Sequence, residues 1–465
     1  MPMILAVVLA VLWSGSLVAA EPSFRREVAP VLVRRCLGCH SAEKAKGEYH
    51  LHSFAAMLQS GETGEKPIVG GAPEKSHLLK LLITTDAAER MPKDADPLKP
   101  AEIEVLKNWI NAGAKYDGDD PQEPLVAVSL WTHPAAPEAY PRAFPITALA
   151  FHPAGDLLAV GGMHEVTFWN PADGKLEKRI GGLAERIYSL AWHSDGKQLA
   201  VAAGTPGQMG EVKLIDFTSG SVRHLTTLAD AALSVAFSPA GDRLAIGAAD
   251  RMVRVFELAS GKEMVRSAEH SDWVSSVAFS PDAARLVTAS RDRTCKVLDA
   301  KTGALVTTYA EHNAPVFAIA VPSEGKQALS VGGDGRLHVW LPEDPGYEDK
   351  EMKKAKKHQI AAIQAAPSDA LAVVLGEKRA YLAATDKAIR ELDPAAKSQV
   401  RTLAGHSDWV AALSFHGGKK LLASGSLDGE VRIWNVTEKD PAKALQRAFS
   451  ASPGFQATRD GGPLK

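Results

Sequence analysis

Two hydrophobic periods divide the chain. Between residues 24 and about 118, apolar positions recur at helical spacing at both ends of the stretch. Phe24, Val28, Val31 and Leu32 make one face. In KPAEIEVLKNWINAGA, Ile103, Leu106 and Ile110 make another, with Pro100 near the helix start, Glu102 and Glu104 in the first turn, and Gly113 as C-cap. The middle is rich in glycine and loops. From about residue 145 the pattern becomes short alternating strands with turn signals, as in ITALAFHPAGDLLAVGG, LSVAFSPAGDRLAIGAADRMVRVFE, VSSVAFSPDAARLVTASRDRTCKVLD and VAALSFHGGKKLLASGSLDGEVRIWN. Between the two regimes, DGDDPQEP (117–124) is acidic and punctuated by proline, which reads as a linker.

The second regime repeats. HSDWV starts at His270 and again at His406, 136 residues apart, and His312 and His358 divide that interval into 42, 46 and 48. A period near about 40 to 45 is that of WD repeats. Third strands are expected to end at Trp169-Asn170, Ile215-Asp216, Phe256-Glu257, Leu298-Asp299, Trp340-Leu341, Leu392-Asp393 and Trp434-Asn435, which counts seven blades. The region 145–450 resembles the WD-repeat β-propeller family. In that family a good blade carries a hydrogen-bonded His, Ser/Thr, Asp and Trp set. His406, Ser424, Asp428 and Trp434 match it, as do His312, Ser330, Asp334 and Trp340, while His270, Thr288 and Asp292 are followed by Leu298 in place of the Trp. These sets are expected to lock strands together and not to catalyse. Either KALQRAFSA (443–451) or LVAVSLWTH (125–133) could supply the outer strand that closes the ring.

The first twenty residues differ from the rest. An apolar run, Met3 to Trp13, leads into small residues ending Val18-Ala19-Ala20, the pattern of a secretory signal cut after Ala20. The run falls short of the roughly 20 residues needed to span a bilayer, so no stable membrane span is expected and the product is exported, periplasmic or in the cell envelope. Charged residues are 23% and the net charge is −2, without an excess of basic residues to bind nucleic acid. The chain has three cysteines, Cys36, Cys39 and a distant Cys295, which excludes a disulfide framework in an exported chain.

RRCLGCHSAEKAKG (34–47) carries the chemistry. Cys36, Cys39 and His40 admit three readings. A redox dithiol calls for a βαβ context, and a zinc site calls for a second pair of ligands; neither is visible. The third is c-type haem attachment, for which C-x-x-C-H is the signature. Two thiols reach two vinyl groups and the next histidine sits below the iron, so the spacing is set by one rigid ring. Export and the flanking helices agree with haem. For the sixth ligand, Met91 in ERMPKDADPLKP is favoured, because that polar loop offers little core to fill and Pro92 stiffens it. Met57, His50, His52 and His77 are rivals.

FRREVAPVLVRRCLGCHSAEKAKGEYHLHS, SGETGEKPIVGGAPEKSHLLKLL and RMPKDADPLKPAEIEVLKNWINAGA together resemble the planctomycete-type cytochrome c domain, over residues 24–115. The resemblance implies one covalent haem c on Cys36 and Cys39, His40 as proximal ligand and Met91 as distal ligand. Gly70 stands where that family commonly has proline. The expected architecture is multidomain: signal peptide 1–20, a small all-α cytochrome c domain 21–118, linker 119–144, an all-β seven-bladed WD-repeat propeller 145–455, and a tail 456–465.

With both axial positions filled, the iron has no site for substrate, so the expected function is one-electron transfer, without catalytic residues, to a redox protein partner docking on the propeller or near the haem edge. Arg34, Arg35, Lys44 and Lys46 flank the motif and could steer an acidic partner. Two alternatives remain. One is a propeller enzyme fed by the haem domain, by architectural analogy with cytochrome cd-type nitrite reductases; His152, His193 and His416, at equivalent turns, are its candidate site. The other is a redox- or gas-sensing scaffold, for which the lysine run in EDKEMKKAKKH (348–358) could serve as an interaction segment.

Overall fold

The computed structural model describes residues 21–42, 45–93, 95–343 and 358–454, and the chain divides into two units between Trp131 and Thr132. The signal segment, Lys44, the lysine run as far as Lys357 and the tail lie outside the described residues.

The first unit is small and helical. A π-helical turn, Phe24–Val28, runs into α1 (Ala29–Arg35), and Ser23 caps the turn by accepting a hydrogen bond from the Arg26 amide at 3.1 Å. Phe24, Val28, Val31 and Leu32 are all buried, as their spacing predicts. They share a core with α2 (Phe54–Met57), α3 (His77–Ile83) and α4 (Pro100–Asn111). The Glu102 carboxylate accepts from the Lys99 amide at 2.9 Å, half of a capping box. Helix α4 closes in a Schellman turn: Gly113, at φ +101°, donates to Ile110 O and Ala114 to Trp109 O. Trp109, which the apolar spacing did not single out, is buried beside Phe24 and donates its indole N–H to Lys115 O at 2.8 Å.

The stretch expected as linker, 119–144, is built into both units. LVAVSLWTH supplies no sheet strand: α5 (Leu125–Val128) is a helical turn that buries Leu125 and Val128 in the first core. A short apolar run does not distinguish strand from helix by period alone, and Leu125 and Val128 also satisfy an i, i+3 face. Residues 132–144 fasten to the second unit instead. The Tyr140 hydroxyl donates to buried Glu165 at 2.7 Å, and Arg179 bonds the carbonyls of Pro137 and Glu138.

The second unit is β. One antiparallel sheet runs β1 (Leu149–Phe151), β2 (Leu158–Gly161), β3 (Met163–Trp169), β4 (Leu176–Trp192), β5 (Gln198–Thr205), β6 (Met209–Asp216) and β7 (Val222–Leu228). Strand β4 is 17 residues long; its first part pairs with β3 and its last part with β5, so it ends one meander and begins the next. Five four-stranded antiparallel meanders follow, over 232–267, 274–309, 316–364, 370–404 and 410–450. The third-strand ends read from the sequence coincide with the structure, among them Trp169, Glu257 and Asn435. The outer strand of the last sheet is Leu445–Ser450, paired with Glu430–Asn435, so KALQRAFSA supplies it. His358 corrects the spacing argument. It stands at the start of the outer, fourth strand Gln359–Gln364, whereas His312 precedes the first strand of the same meander, Val316–Ala320, and the His358 Nδ1 bonds Leu341 O at 3.0 Å.

Neighbouring sheets join through serines on their first strands. Ser189, Ser234 and Ser276 accept from the amides of Val235, Val277 and Ile319, and Ser414 of the last sheet accepts from Phe151 of the first at 3.0 Å. The first and last sheets also share one apolar core, in which Ile146, Leu149 and Phe151 meet Ala412, Ala423 and Val431.

Candidate functional site

The end of α1 delivers the motif. Helical bonding continues through Cys36, whose amide donates to Leu32 O at 2.9 Å, and the chain then curls so that the amides of Cys39 and His40 both donate to Cys36 O. This tight turn places Cys36, Cys39 and His40 on the wall of one cavity of about 180 Å³. The lining also includes Leu78 and Leu82 of α3 and Met91 of the loop after it. The Met91 amide donates to Leu81 O at 2.9 Å, which holds the loop to α3. All four residues expected to hold haem, separated by 51 positions between His40 and Met91, line this cavity.

The histidine is pre-set. His40 Nδ1 lies 3.0 Å from Tyr49 O; a carbonyl can only accept, so Nδ1 carries the proton and Nε2 keeps its lone pair. That is the tautomer an axial ligand needs, oriented by its backbone partner. Burial pushes the Cys36 thiol up to about 12, with Arg35 acting against it. Among the described residues, the groups of three ligating side chains close enough to share an ion are His312, Asp334 and His338, and His406, Asp428 and Glu430; neither includes the motif cysteines. The donor set and the largely apolar wall therefore suit a haem better than zinc or a dithiol.

Of the rival sixth ligands, Met57 is fully buried in the core, and neither it, His50 nor His52 lines the cavity. His77 does line it, with Nδ1 2.8 Å from a Glu65 carboxylate oxygen. The basic flank is committed internally. The Arg34 guanidinium lies over the Trp131 ring at 5.0 Å, and Arg34 and Arg35 approach Glu102 at 3.9 and 3.7 Å. Lys46 lines the cavity.

In the second unit the expected sets form. His312 Nδ1 donates to Asp334 at 2.8 Å, its Nε2 pairs with Ser330 at 2.8 Å, and the Trp340 indole donates to Ser330 at 3.1 Å. His338, which the sequence reading did not single out, donates Nε2–H to the same Asp334 oxygen at 3.0 Å. His270 bonds Asp292 and Thr288 at 2.8 and 2.7 Å. In the last sheet, Ser424 pairs with His406 at 2.8 Å and accepts from Trp434 at 2.9 Å, whereas Asp428 is bonded by Ser407 instead of His406. His152, His193 and His416 do not converge. His152 reaches Gly196 O at 3.1 Å, His416 reaches Pro153 O at 2.9 Å, and His193 packs over Gly241, so each rests on the turn of the next meander.

Comparison with known proteins agrees with this division. Residues 36–95 match the planctomycete cytochrome C family, and 222–257, 262–299, 303–340 and 397–435 match the WD domain, G-beta repeat. The chain thus fuses a planctomycete-type cytochrome c segment to WD repeats. It is 26% identical over 317 residues to the nuclear distribution protein PAC1 of Coccidioides posadasii, covering 63% of this chain and 58% of that one. It is 35% identical over 120 residues to the WD repeat-containing protein SL1-17 of Schistosoma mansoni, covering 26% of this chain and 38% of that protein. A telomerase protein component 1 of Rattus norvegicus shares 25% identity over 185 residues, 30% of this chain and 7% of its own length. The chain therefore spans less than two thirds of each relative. No helix among the described residues is long and apolar enough to cross a membrane.

Proposed function

We propose that the chain is an exported one-electron carrier: one haem c held by thioethers at Cys36 and Cys39, with His40 as proximal and Met91 as distal iron ligand, on a partner-docking WD-repeat propeller. The observation that carries this reading is the convergence of Cys36, Cys39, His40 and Met91 on one cavity, with the His40 tautomer fixed by Tyr49 O. Bound haem supplies a one-electron iron couple. The chain's own residues would do the rest: the two thiols would tether the group, His40 and Met91 would ligate the iron, and Leu51, Leu78 and Leu82 would exclude water, which would favour the reduced state.

The propeller is read as a closed ring of seven blades. Division of β4 between two meanders supports the count, and the Ser414–Phe151 bond with the shared core of first and last sheets supports closure. A redox protein is the proposed partner. The propeller-enzyme alternative loses its candidate site, since His152, His193 and His416 stay apart. Export after cleavage at Ala20 belongs to the same reading, because c-type attachment is generally made outside the cytoplasm.

The test is an optical spectrum with iron analysis on protein matured outside the cytoplasm. One low-spin haem per chain, retained through acid denaturation, is expected. A second chromophore would turn the assignment to the enzyme, and a colourless protein under those conditions would overturn it.

A further inference from the structure

Of the WD sets built on His270, His312 and His406, two are closed by hydrogen bonds and one is not. His270 Nδ1 bonds Asp292 at 2.8 Å and its Nε2 meets Thr288, while His312 Nδ1 bonds Asp334 at 2.8 Å and its Nε2 meets Ser330. In the last sheet the equivalent carboxylate is turned away: Asp428 Oδ2 accepts from the amide and the hydroxyl of Ser407, at 3.0 and 2.7 Å. His406 Nδ1 is left buried without a hydrogen-bond partner, on a side chain 1% exposed. An unpaired ring nitrogen is disfavoured inside a protein, so what surrounds it is informative.

Two carboxylates surround it. His406 Nδ1 and one oxygen each of Asp428 and Glu430 all lie within 4.8 Å of one another, with Nδ1 3.7 Å from Glu430 Oε2. That separation is too long for a hydrogen bond but suits a shared ion, since zinc at about 2.0–2.2 Å from each ligand sets neighbouring ligand atoms about 3–4 Å apart. Such an ion lies between the ligand atoms themselves, so the nitrogen needs no solvent-exposed surface. Glu430, with a side chain 28% exposed, gives the approach from solvent. Two positions after the aspartate, the other two sets carry Thr294 and Arg336, and of the three the last alone has a carboxylate there.

The surrounding bonds agree. Burial pushes the His406 imidazole below its ordinary value, against the pull of Asp428, so the neutral ring offers a lone pair. With Nδ1 on a metal, the ring proton lies on Nε2, where Ser424 Oγ stands 2.8 Å away to accept it. Arg432 Nε donates to Glu430 Oε2 at 2.8 Å, the kind of bond that orients a ligating carboxylate. Two carboxylates and one guanidinium leave one net negative charge to attract a cation. The similar cluster of His312, Asp334 and His338 makes no such case, because hydrogen bonds already join both histidines to Asp334.

We propose that His406 Nδ1, Asp428 and Glu430 hold a divalent transition-metal cation of the zinc type. One imidazole nitrogen with two carboxylates suits zinc over magnesium or calcium, which prefer oxygen ligands alone. The ion ties the loop entering the last sheet to the turn before its third strand, the link that a His–Asp hydrogen bond makes in the sets at His270 and His312. Three protein ligands leave a fourth position to water.

Zinc binding is measured by equilibrium dialysis and elemental analysis on the full chain, with accessible thiols blocked by iodoacetamide so that the result does not depend on the haem reading. Wild type is compared with Glu430→Gln, which keeps an acceptor for Arg432, and with magnesium in place of zinc. The expected outcome is one zinc per wild-type chain, bound about tenfold or more weakly in Glu430→Gln and not displaced by magnesium. Zinc should also raise the denaturation midpoint of wild type by several degrees and leave that of Glu430→Gln unmoved. X-ray absorption at the zinc edge should show imidazole and oxygen neighbours without sulfur. Wild type that retains no zinc, equal binding by wild type and variant, or sulfur in the zinc shell would each overturn the proposal. If Glu430→Gln does not fold, the wild-type stoichiometry and zinc-edge spectrum decide.

Discussion

At the scale of single residues, the covalent motif and the axial pair make separable claims. Changing Cys36 and Cys39 together to Ala should abolish covalent haem, since each thiol supplies one tether; haem pigment still on the polypeptide after acid denaturation would disprove attachment there. Changing Met91 to Ala should open the iron, remove the Met-to-iron charge-transfer band and lower the potential, because the thioether favours ferrous iron. An unchanged band would move the assignment to another methionine, Met57 first, whereas a wild type without the band would point to His77, which shares the cavity. The motif is readable in sequence because the proposed haem, a rigid ring, would dictate C-x-x-C-H locally. The bonds of Arg35 and Tyr49 are not, because they depend on the carbonyls and histidine that the fold brings to them. Sequence adjacency suggested a partner-steering cluster; the structure spends Arg34 and Arg35 on Trp131, Glu102 and two loop carbonyls.

At the scale of elements, close backbone approach explains the one departure from the cytochrome family's pattern. A Cβ at Gly70 would lie 2.6 Å from Gly113 O, the carbonyl at the end of α4, so a larger residue does not fit this packing. Gly70→Ala should therefore destabilise the first unit by roughly 1–3 kcal/mol, read as a lowered denaturation midpoint of the haem-loaded protein; an unchanged midpoint would mean that the two loops separate freely. In the WD unit the informative element is the locked strand pair. Ser330→Ala strands the Trp340 indole and His312 Nε2 at a buried site, with an expected loss of about 1–3 kcal/mol in the unfolding free energy. Substitution at Ser407, exposed and at the loop entering the last sheet, should cost under about 1 kcal/mol, and equal losses would refute the distinction. Strand ends were readable because the repeat presents the same pattern many times. His358 misled because a histidine at about the right interval carries no record of which strand it precedes, and LVAVSLWTH misled because a short apolar run satisfies both periods.

At the scale of the whole molecule, the boundary between the units is a prediction about which residues each needs to fold. A cut between Trp131 and Thr132 follows the observed division, whereas a start at residue 145, the first of the alternating pattern, removes a strap that the sequence presented only as linker. That strap supplies partners to two carboxylates that are each 1% exposed. Tyr140 and the Arg179 clamp serve Glu165, and His133 Nε2 meets Glu211 at 2.9 Å beside Lys213 at 2.9 Å. Burial alone would push the Glu211 carboxyl up; His133 and Lys213 outweigh it and hold the group below its ordinary value. A depressed folded-state value contributes stability above the ordinary carboxylate range and loses it as pH falls through the folded value, so the His133 contact should stabilise the second unit near neutrality, and that gain should vanish on acidification. A fragment of residues 132–454 should thus melt cooperatively, and a fragment of 145–454 should melt several degrees lower, by about 2–5 kcal/mol for a buried charge left without a partner. His133→Ala in the longer fragment should reproduce part of that loss, with the difference shrinking as pH falls below the carboxylate range, where Glu211 is protonated in both folded and unfolded states. Calorimetry on the three proteins at neutral and acid pH tests the argument. Equal melting of the two fragments at neutral pH would show that the strap contributes nothing, and failure of the longer fragment to fold would show that the WD unit depends on the first unit.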